Sequence, residues 1–463
     1  MGLTSVLRGL AAVLAAIAVA MVPPFLLALS GGEAIAGPFL FAIIATVFGA
    51  AGLRAASIGK RPPSDFRGAL LIILLWWTVA PAFAAIPFAL DGMTPPDAYF
   101  EAIAALTTTG GWISHETATA SPAAMLWRAE LQWLGGFASI AIAAAIFIRP
   151  AFIGIDTLLP PFSRGDKGNF MRPLRNAITA FASTYGVLTF LAFGAFAATG
   201  ATTLDAVVLA MSGVATGGFA PAGVDISGAS LAMQLVTFAV IIVSASNFVV
   251  LARFVRGAKG RGRDVEGRAY FAIIISVGVL FWLLAGAGDI RLIAQQIFNS
   301  ASMLSTTGFV VGEAPPVPVA LVTAIIGGAA VSTAGGFKIL RWLVIMRRAY
   351  EELRRLAEPS AVFGKRRVSN EMGVWIHFLV FTMTLAALTV VLMFGGERFE
   401  LAATAAVSAL ANTGPLIYLV DGGADGYAAF GEGYRWALAG AMVLGRLEAA
   451  VALVLFNRWF WRT

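Results

Sequence analysis

The chain has no cysteine, two histidines and only 12% charged residues among 463. Without thiols there are no disulfides, thiolate metal sites or sulfur nucleophiles. His115 and His377 show no ligand spacing, and no apolar segment carries the paired acids, histidine cluster or phosphate cradle that a membrane enzyme needs. The basic, glycine-rich run "GRGRDVEGR" (260–268) lacks the strand–loop–helix setting of a nucleotide cradle. What fills the chain instead is apolar: 59% hydrophobic residues and a mean hydropathy of +0.85. A soluble domain of this length would have to expose much of that to water, so the chain reads as an all-α polytopic membrane protein.

About 20 apolar residues cross a bilayer, and ten segments qualify: 9–29, 37–56, 68–90, 124–148, 177–199, 229–252, 269–287, 317–346, 373–395 and 433–456. The first is of span length and lacks a small-x-small cleavage site after it, so it reads as a retained helix rather than a signal peptide. The net charge of +7 is placed by loop. Arg54, Lys60, Arg61 and Arg67 share one loop; Arg164, Lys167, Arg172 and Arg175 a second; Arg253, Arg256, Lys259, Arg261, Arg263 and Arg268 a third; Arg347, Arg348, Arg354, Arg355, Lys365, Arg366 and Arg367 a fourth. These alternate with loops richer in acid, such as "DGMTPPDAYFEA", which places the basic loops and both termini in the cytoplasm. The charge therefore signals topology, with partner docking secondary and nucleic acid excluded.

Four stretches repeat the order long helix, short amphiphilic helix, Thr/Gly turn, long helix. Their turns read "ALTTTGGW" (105–112), "GVATGGFA" (213–220), "MLSTTGFV" (303–310) and "ALANTGPL" (409–416). Gly110, Gly218, Gly308 and Gly414 are then 108, 90 and 106 residues apart, about two spans and a hairpin. Asp97, Asp205 and Glu400 begin three of the short helices, where an acid complements the helix dipole, and "RLIAQQIFNS" begins the third without one. The expected divisions are 1–60, an N-terminal two-helix domain, and repeats at 61–160, 161–264, 265–360 and 361–463.

Helices this short stop at mid-membrane, where irregular backbone survives only if it is buried in protein or lines a wet cavity. Glycine permits main-chain oxygens to face one axis, and a ring of such oxygens replaces the water shell of a monovalent cation. Small-residue packing explains one such turn as well; four matched turns favour the pore. The expected filter residues are Thr108, Thr109, Gly110, Thr216, Gly217, Gly218, Thr306, Thr307, Gly308, Asn412, Thr413 and Gly414. The expected ligands are the carbonyls of Thr108, Thr109, Ala215, Thr216, Thr306, Thr307, Asn412 and Thr413.

These turns, with "QWLGGF" (132–137), "GGAAVSTAGGFKILRW" (327–342) and "MVLGRLEAA" (442–450), resemble the Trk/Ktr/HKT superfamily of potassium transporters, most closely its bacterial TrkH branch, along the whole chain. The extra helix pair at 1–60 is also what a TrkH-like chain has. The resemblance implies four M1–pore helix–M2 repeats in pseudo-fourfold arrangement around one K⁺ pore, in a homodimer in the bacterial inner membrane. It also implies a cytosolic nucleotide-binding regulatory subunit of the TrkA type. Relatives that pass sodium well often have Ser at the first filter glycine; Gly110 leans toward potassium, with Na⁺ as a second ion. In loop two Gly217 competes with Gly218 for the aligned place, and loop four has Asn412.

By the same resemblance "GGAAVSTAGGFK" forms an intramembrane gate, its expected residues being Gly327, Gly328, Ser332, Thr333, Gly335, Gly336, Lys338 and, from the last long helix, Arg446. Its glycines cost a helix ~1 kcal/mol each relative to alanine, which favours a loop over a small-residue packing face. A buried charge such as Arg446 is a functional candidate by default, snorkelling being the alternative. Glu448, two residues on, points elsewhere and is not its partner. Asn247 in "VSASNF" is either pore-lining or an inter-helix hydrogen bonder. Two other functions remain open: an ion-coupled secondary transporter with broken helices, against which fourfold repetition counts, and a closed assembly subunit.

Overall fold

A computed structural model describes residues 3–59, 66–113, 121–147, 171–221, 224–255, 264–286, 288–358, 372–420, 423 and 425–447. The described residues form helices and turns without strands. Most of the basic-loop residues named above, together with His115 and Glu448, lie outside them.

The repeats appear in order. Long helices Phe66–Ala84, Met171–Ala198, Val265–Leu284 and Met372–Phe394 lead into short helices Pro95–Leu106, Thr203–Val214, Ile290–Leu304 and Phe399–Leu410. Exit helices begin at Pro122, Leu231, Val317 and Glu432. Two short helices start on the same device: Thr94 and Thr202 accept from the N–H groups of Asp97 (3.4 Å) and Asp205 (3.2 Å), three residues on. Glu400 stands in the first turn of the fourth, while the third starts at Ile290 without an acid in its first turn.

Each exit helix packs against its own short helix and against the next one round. Pro122–Phe147 meets Thr203–Val214, Leu231–Ser244 meets Ile290–Leu304, Val317–Ile326 meets Phe399–Leu410, and Glu432–Arg446 returns to Pro95–Leu106. One interface used four times in rotation closes the circle, which is the pseudo-fourfold arrangement. The first exit helix comes close to both of its short helices at "LGGF": a Cβ on Gly135 would run into the carbonyl of Leu106, at the end of its own short helix, and one on Gly136 would crowd Ala215, at the end of the next. Ahead of the repeats, Leu3–Ala20 and Ala36–Ala56 pack on each other and on Phe66–Ala84. Glu33, after this pair's first half, accepts from Ser121 Oγ and from the Ala123 N–H (3.3 Å), tying the pair to the first exit helix.

Among the described residues six helices are long and apolar enough to cross a membrane: Thr4–Gly31, Ala36–Ala56, Arg67–Leu90, Leu174–Ala198, Val265–Leu284 and Met372–Phe394. They present bare apolar side chains such as Phe48, Phe190 and Phe394 outward, as lipid-facing helices do. Of the four expected exit spans, 124–148 is one continuous helix as far as Phe147, 433–456 is helical to Arg446 with the residues beyond Leu447 outside the described ones, and the other two are broken. Pro122–Phe147 buries Arg128, Glu130 and Gln132. The expected span 317–346 ends as a helix at Ile326 and resumes at Ile339. The expected continuous span 229–252 is broken too, Leu231–Ser244 and Phe248–Val255 meeting at 103°.

The Gly135 contact gives the fold a test. Gly135→Ala forces the first short helix away from its exit helix at a cost of roughly 1–3 kcal/mol. Thermal unfolding of the detergent-solubilised variant should therefore begin at a lower temperature than in the parent protein; an unchanged midpoint would mean the two helices are not in this close contact.

Candidate ion pathway

Each short helix ends in the same way. Thr108, Thr216, Thr306 and Asn412 adopt left-handed backbone, with φ of 50°, 52°, 60° and 54°. The N–H of the following residue reaches back to the helix: Thr109 to Ala104 O (2.9 Å), Gly217 to Ser212 O (2.8 Å), Thr307 to Ser302 O (3.0 Å) and Thr413 to Ser408 O (2.8 Å). This is a Schellman cap with a residue other than glycine at its left-handed position. It fixes the register: Thr216 corresponds to Thr108, so Gly218, with φ 72°, and not Gly217, matches Gly110 at 69°. Gly308 follows at 83°. Gly414 does not, because it opens a short 3₁₀ helix, Gly414–Leu419, with Pro415 behind it.

The cap also determines where the oxygens point. Across a planar trans peptide, the carbonyl of one residue is antiparallel to the N–H of the next. With the N–H groups turned back to the helix end, the carbonyls of Thr108, Thr216, Thr306 and Asn412 point away from it. Among the described residues no hydrogen-bond donor is directed at these four oxygens. Neighbouring oxygens are engaged: Thr107 O accepts from Arg446 Nε (2.5 Å), Gly217 O from Gln132 Nε2 (3.1 Å) and Thr109 O from the Gly414 N–H (2.5 Å).

The turns touch in a closed circle. A Cβ on Gly110 would strike the Gly217 carbonyl, one on Gly218 the Thr307 carbonyl, one on Gly308 the Pro415 ring, and one on Gly414 the backbone of Gly110. Asn412 Nδ2 adds a side-chain link, donating to Thr109 Oγ1 (3.0 Å) and to Met442 O (3.0 Å). Thr109 Oγ1 in turn lies 2.8 Å from Thr107 Oγ1, a pairing that Ser305 and Thr307 repeat at 2.9 Å.

Residues 327–338 lie against this ring. Gly327, Gly336 and Lys338 have φ of 72°, 74° and 80°, so the stretch cannot be helical. The Gly335 N–H donates to Thr306 Oγ1 (2.7 Å) and that of Gly336 to Ala411 O (3.0 Å). Thr333 Oγ1 lies 3.3 Å from Thr216 Oγ1 and donates to Ser244 O (3.0 Å). Lys338 Nζ returns to the loop's own Ala334 carbonyl, and Ser332 Oγ accepts from it at 3.5 Å. Gly328 is boxed in by Ala334 and the Ala245 carbonyl.

Arg446 is buried and links the two assemblies. Besides Thr107 O, its Nη2 meets Thr108 Oγ1 and its Nη1 donates to Thr333 O (2.8 Å). The guanidinium fork suits this use, since its donors have fixed directions and no acceptor is needed on the ion. It does not snorkel. Asn247 proves to be an inter-helix bonder, donating to Glu266 Oε2 (2.8 Å). His377 stacks on Phe337 with ring centroids 5.2 Å apart. Two further residues whose roles the sequence pattern does not reveal are Gln132, in "QWLGGF", which holds the second turn, and Glu266, which holds the loop. The described residues contain no cluster of three or more histidines or acids able to hold a metal.

Comparison with known proteins agrees with this architecture. Residues 86–457 match the family model TrkH, cation transport protein. The Trk system potassium uptake protein TrkH of Halomonas elongata is 30% identical over 489 aligned positions covering both chains completely. The protein of that name from Escherichia coli is 30% identical over 86% of each chain. The crystal structure of the potassium transporter TrkH from Vibrio parahaemolyticus superposes with a TM-score of 0.86 at 27% identity, covering all of both chains. With most of its length matching one family and a full-length relative at this identity, the chain belongs to the TrkH family of cation transport proteins.

Proposed function

We propose that this protein is a potassium uptake protein that conducts K⁺ through the ring of Thr/Gly turns and is closed by the loop 327–338. The observation that carries the reading is the set of four buried oxygens, on Thr108, Thr216, Thr306 and Asn412, that point off the helix ends and receive no protein donor among the described residues. An unpartnered buried polar group costs about 1–3 kcal/mol, and a dehydrated cation satisfies four of them together. The short helices add the negative ends of their dipoles, about half a charge each. Thr109, Ala215, Thr307 and Thr413, with Gly110, Gly217, Gly218, Gly308 and Gly414, complete the proposed filter. K⁺ then moves inward down the membrane potential, worth ~2.3 kcal/mol per charge per 100 mV.

The gate follows from the same contacts. The loop's Gly335, Gly336 and Thr333 bond to three turns and Arg446 joins Thr333 to the fourth, so the loop lies across the ring. A cation leaving the ring meets a buried guanidinium whose repulsion is strong in a low-dielectric setting. Opening requires the loop, with Gly327, Gly328, Ser332 and Lys338, to leave as a unit. We assign the protein to the bacterial inner membrane with cytoplasmic termini, as a homodimer worked by a cytosolic nucleotide-binding, TrkA-like subunit at the basic loops.

Three outcomes test this in proteoliposomes. Gly110→Ser should reduce the preference for K⁺ over Na⁺, because its Cβ displaces the Gly217 carbonyl; unchanged selectivity removes the filter assignment. Arg446→Ala should raise basal K⁺ flux roughly ten- to hundredfold, in line with the ~1.5–3 kcal/mol of a charged hydrogen bond. Deleting 330–336 should raise it further, and a flux equal to that of the parent protein in both variants ends the gating assignment.

A further inference from the structure

Glu266 is 5% exposed and sits at the start of the Val265–Leu284 helix, directly after the basic segment 256–263. Burying a carboxylate is costly unless donors meet it, and two do. Its Oε1 accepts from the Ala330 N–H of the loop (2.6 Å) and its Oε2 from Asn247 Nδ2 (2.8 Å). Asn247 belongs to the break between Leu231–Ser244 and Phe248–Val255, and its Oδ1 is committed to the Val249 N–H (3.0 Å).

The break and the loop are built for each other. A helix interrupted at Ala245–Asn247 frees main-chain groups, and the loop takes them up: the Ala329 N–H donates to Ala245 O (3.0 Å), the Phe248 N–H to Val331 O (2.8 Å) and Thr333 Oγ1 to Ser244 O (3.0 Å). The main-chain bonds give the loop a seat; Glu266 is the side chain that fastens seat and loop to a third element. That element is also the one whose start adjoins the basic segment.

From this geometry we infer that Glu266 is a positioning residue for the gate: with Asn247 it latches the loop in the closed position, and displacement of the Asp264–Glu266 helix start releases it. The inference rests on the gating role proposed for 327–338. It supplies what that reading lacks, a mechanical route from a cytoplasmic segment to the pore. The carboxylate is suited to the task because it is acceptor-only and faces two donors. A glutamine in its place keeps one acceptor for Ala330 and turns an amide donor against the Asn247 amide, which cannot rotate without abandoning Val249.

The donor and acceptor can be exchanged, and this provides the test. In Glu266→Gln the Asn247 bond is lost, and basal K⁺ flux of the full-length protein in liposomes, without any added subunit, should rise about tenfold. Adding Asn247→Asp restores complementarity, since the new amide donates to the new carboxylate, which still accepts from Val249. Flux should return to the wild-type value. Selectivity for K⁺ over Na⁺ should stay unchanged in both variants, which separates the latch from damage to the filter. Thermal unfolding and gel filtration identify any misfolded variant, and the near-isosteric Glu266→Gln keeps the Ala330 bond. The latch is overturned if Glu266→Gln leaks no more than the parent protein, or if the double variant leaks as much as the single one. Should the 330–336 deletion also leave flux unchanged, the gating role itself has failed; a leaking deletion beside a silent Glu266→Gln condemns the latch alone.

Discussion

A helix that stops inside a membrane must find partners for its last main-chain groups, because neither water nor lipid supplies them there. This protein does so four times with one local solution. A left-handed residue turns the next N–H back onto the helix end, and the planar peptide then sends the preceding carbonyl outward. Satisfying the helix terminus thus creates the orientation of the oxygens. The cap and the proposed cation ligands are two consequences of one turn.

The same economy joins the turns to what lies beneath them. Breaking the Leu231–Val255 span exposes main-chain groups at Ser244, Ala245 and Phe248, and the loop 327–338, itself too glycine-rich to be helical, exposes complementary ones. Each irregular segment satisfies the other. Neither could be straightened alone without stranding buried donors or acceptors at roughly 1–3 kcal/mol apiece. Two defects in adjacent repeats are therefore one structural unit.

Much of this was legible in the sequence because periodicity and glycine placement are local signals. The turns, the short helices before them and the interruption at 327–338 could be placed from residue type, whereas the depth of Arg446 was implied only by the family resemblance, with snorkelling left open until its bonds to Thr107 and Thr333 were seen. The break at Ala245–Asn247 could not, since "VIIVSASNFVVL" is apolar enough to continue as a helix and its breakage depends on a loop 80 residues away in the chain. Glu266 was hidden for a similar reason. An acid near a helix start normally reads as dipole compensation, and only the fold shows that it faces Ala330 and Asn247. The rivalry of Gly217 and Gly218 was undecidable by spacing and was decided by which neighbour takes the left-handed conformation.

A β-branched residue in left-handed backbone carries strain of order 1–3 kcal/mol, and glycine would remove it. Three of the four turns nevertheless place threonine there, and the contacts give the reason. Thr108 Oγ1 meets Arg446, Thr306 Oγ1 accepts from Gly335, and Thr216 Oγ1 lies against Thr333. The hydroxyls make the contacts that glycine could not. At the fourth turn the loop is already held by the Ala411 carbonyl, so a hydroxyl is not needed on that side. Asn412 turns its amide to Thr109 and Met442 instead, and closes the circle between the last repeat and the first. Strain at these positions accompanies a ring whose threonine side chains bind the loop and Arg446 while the main-chain oxygens of the same residues receive no donor among the described residues.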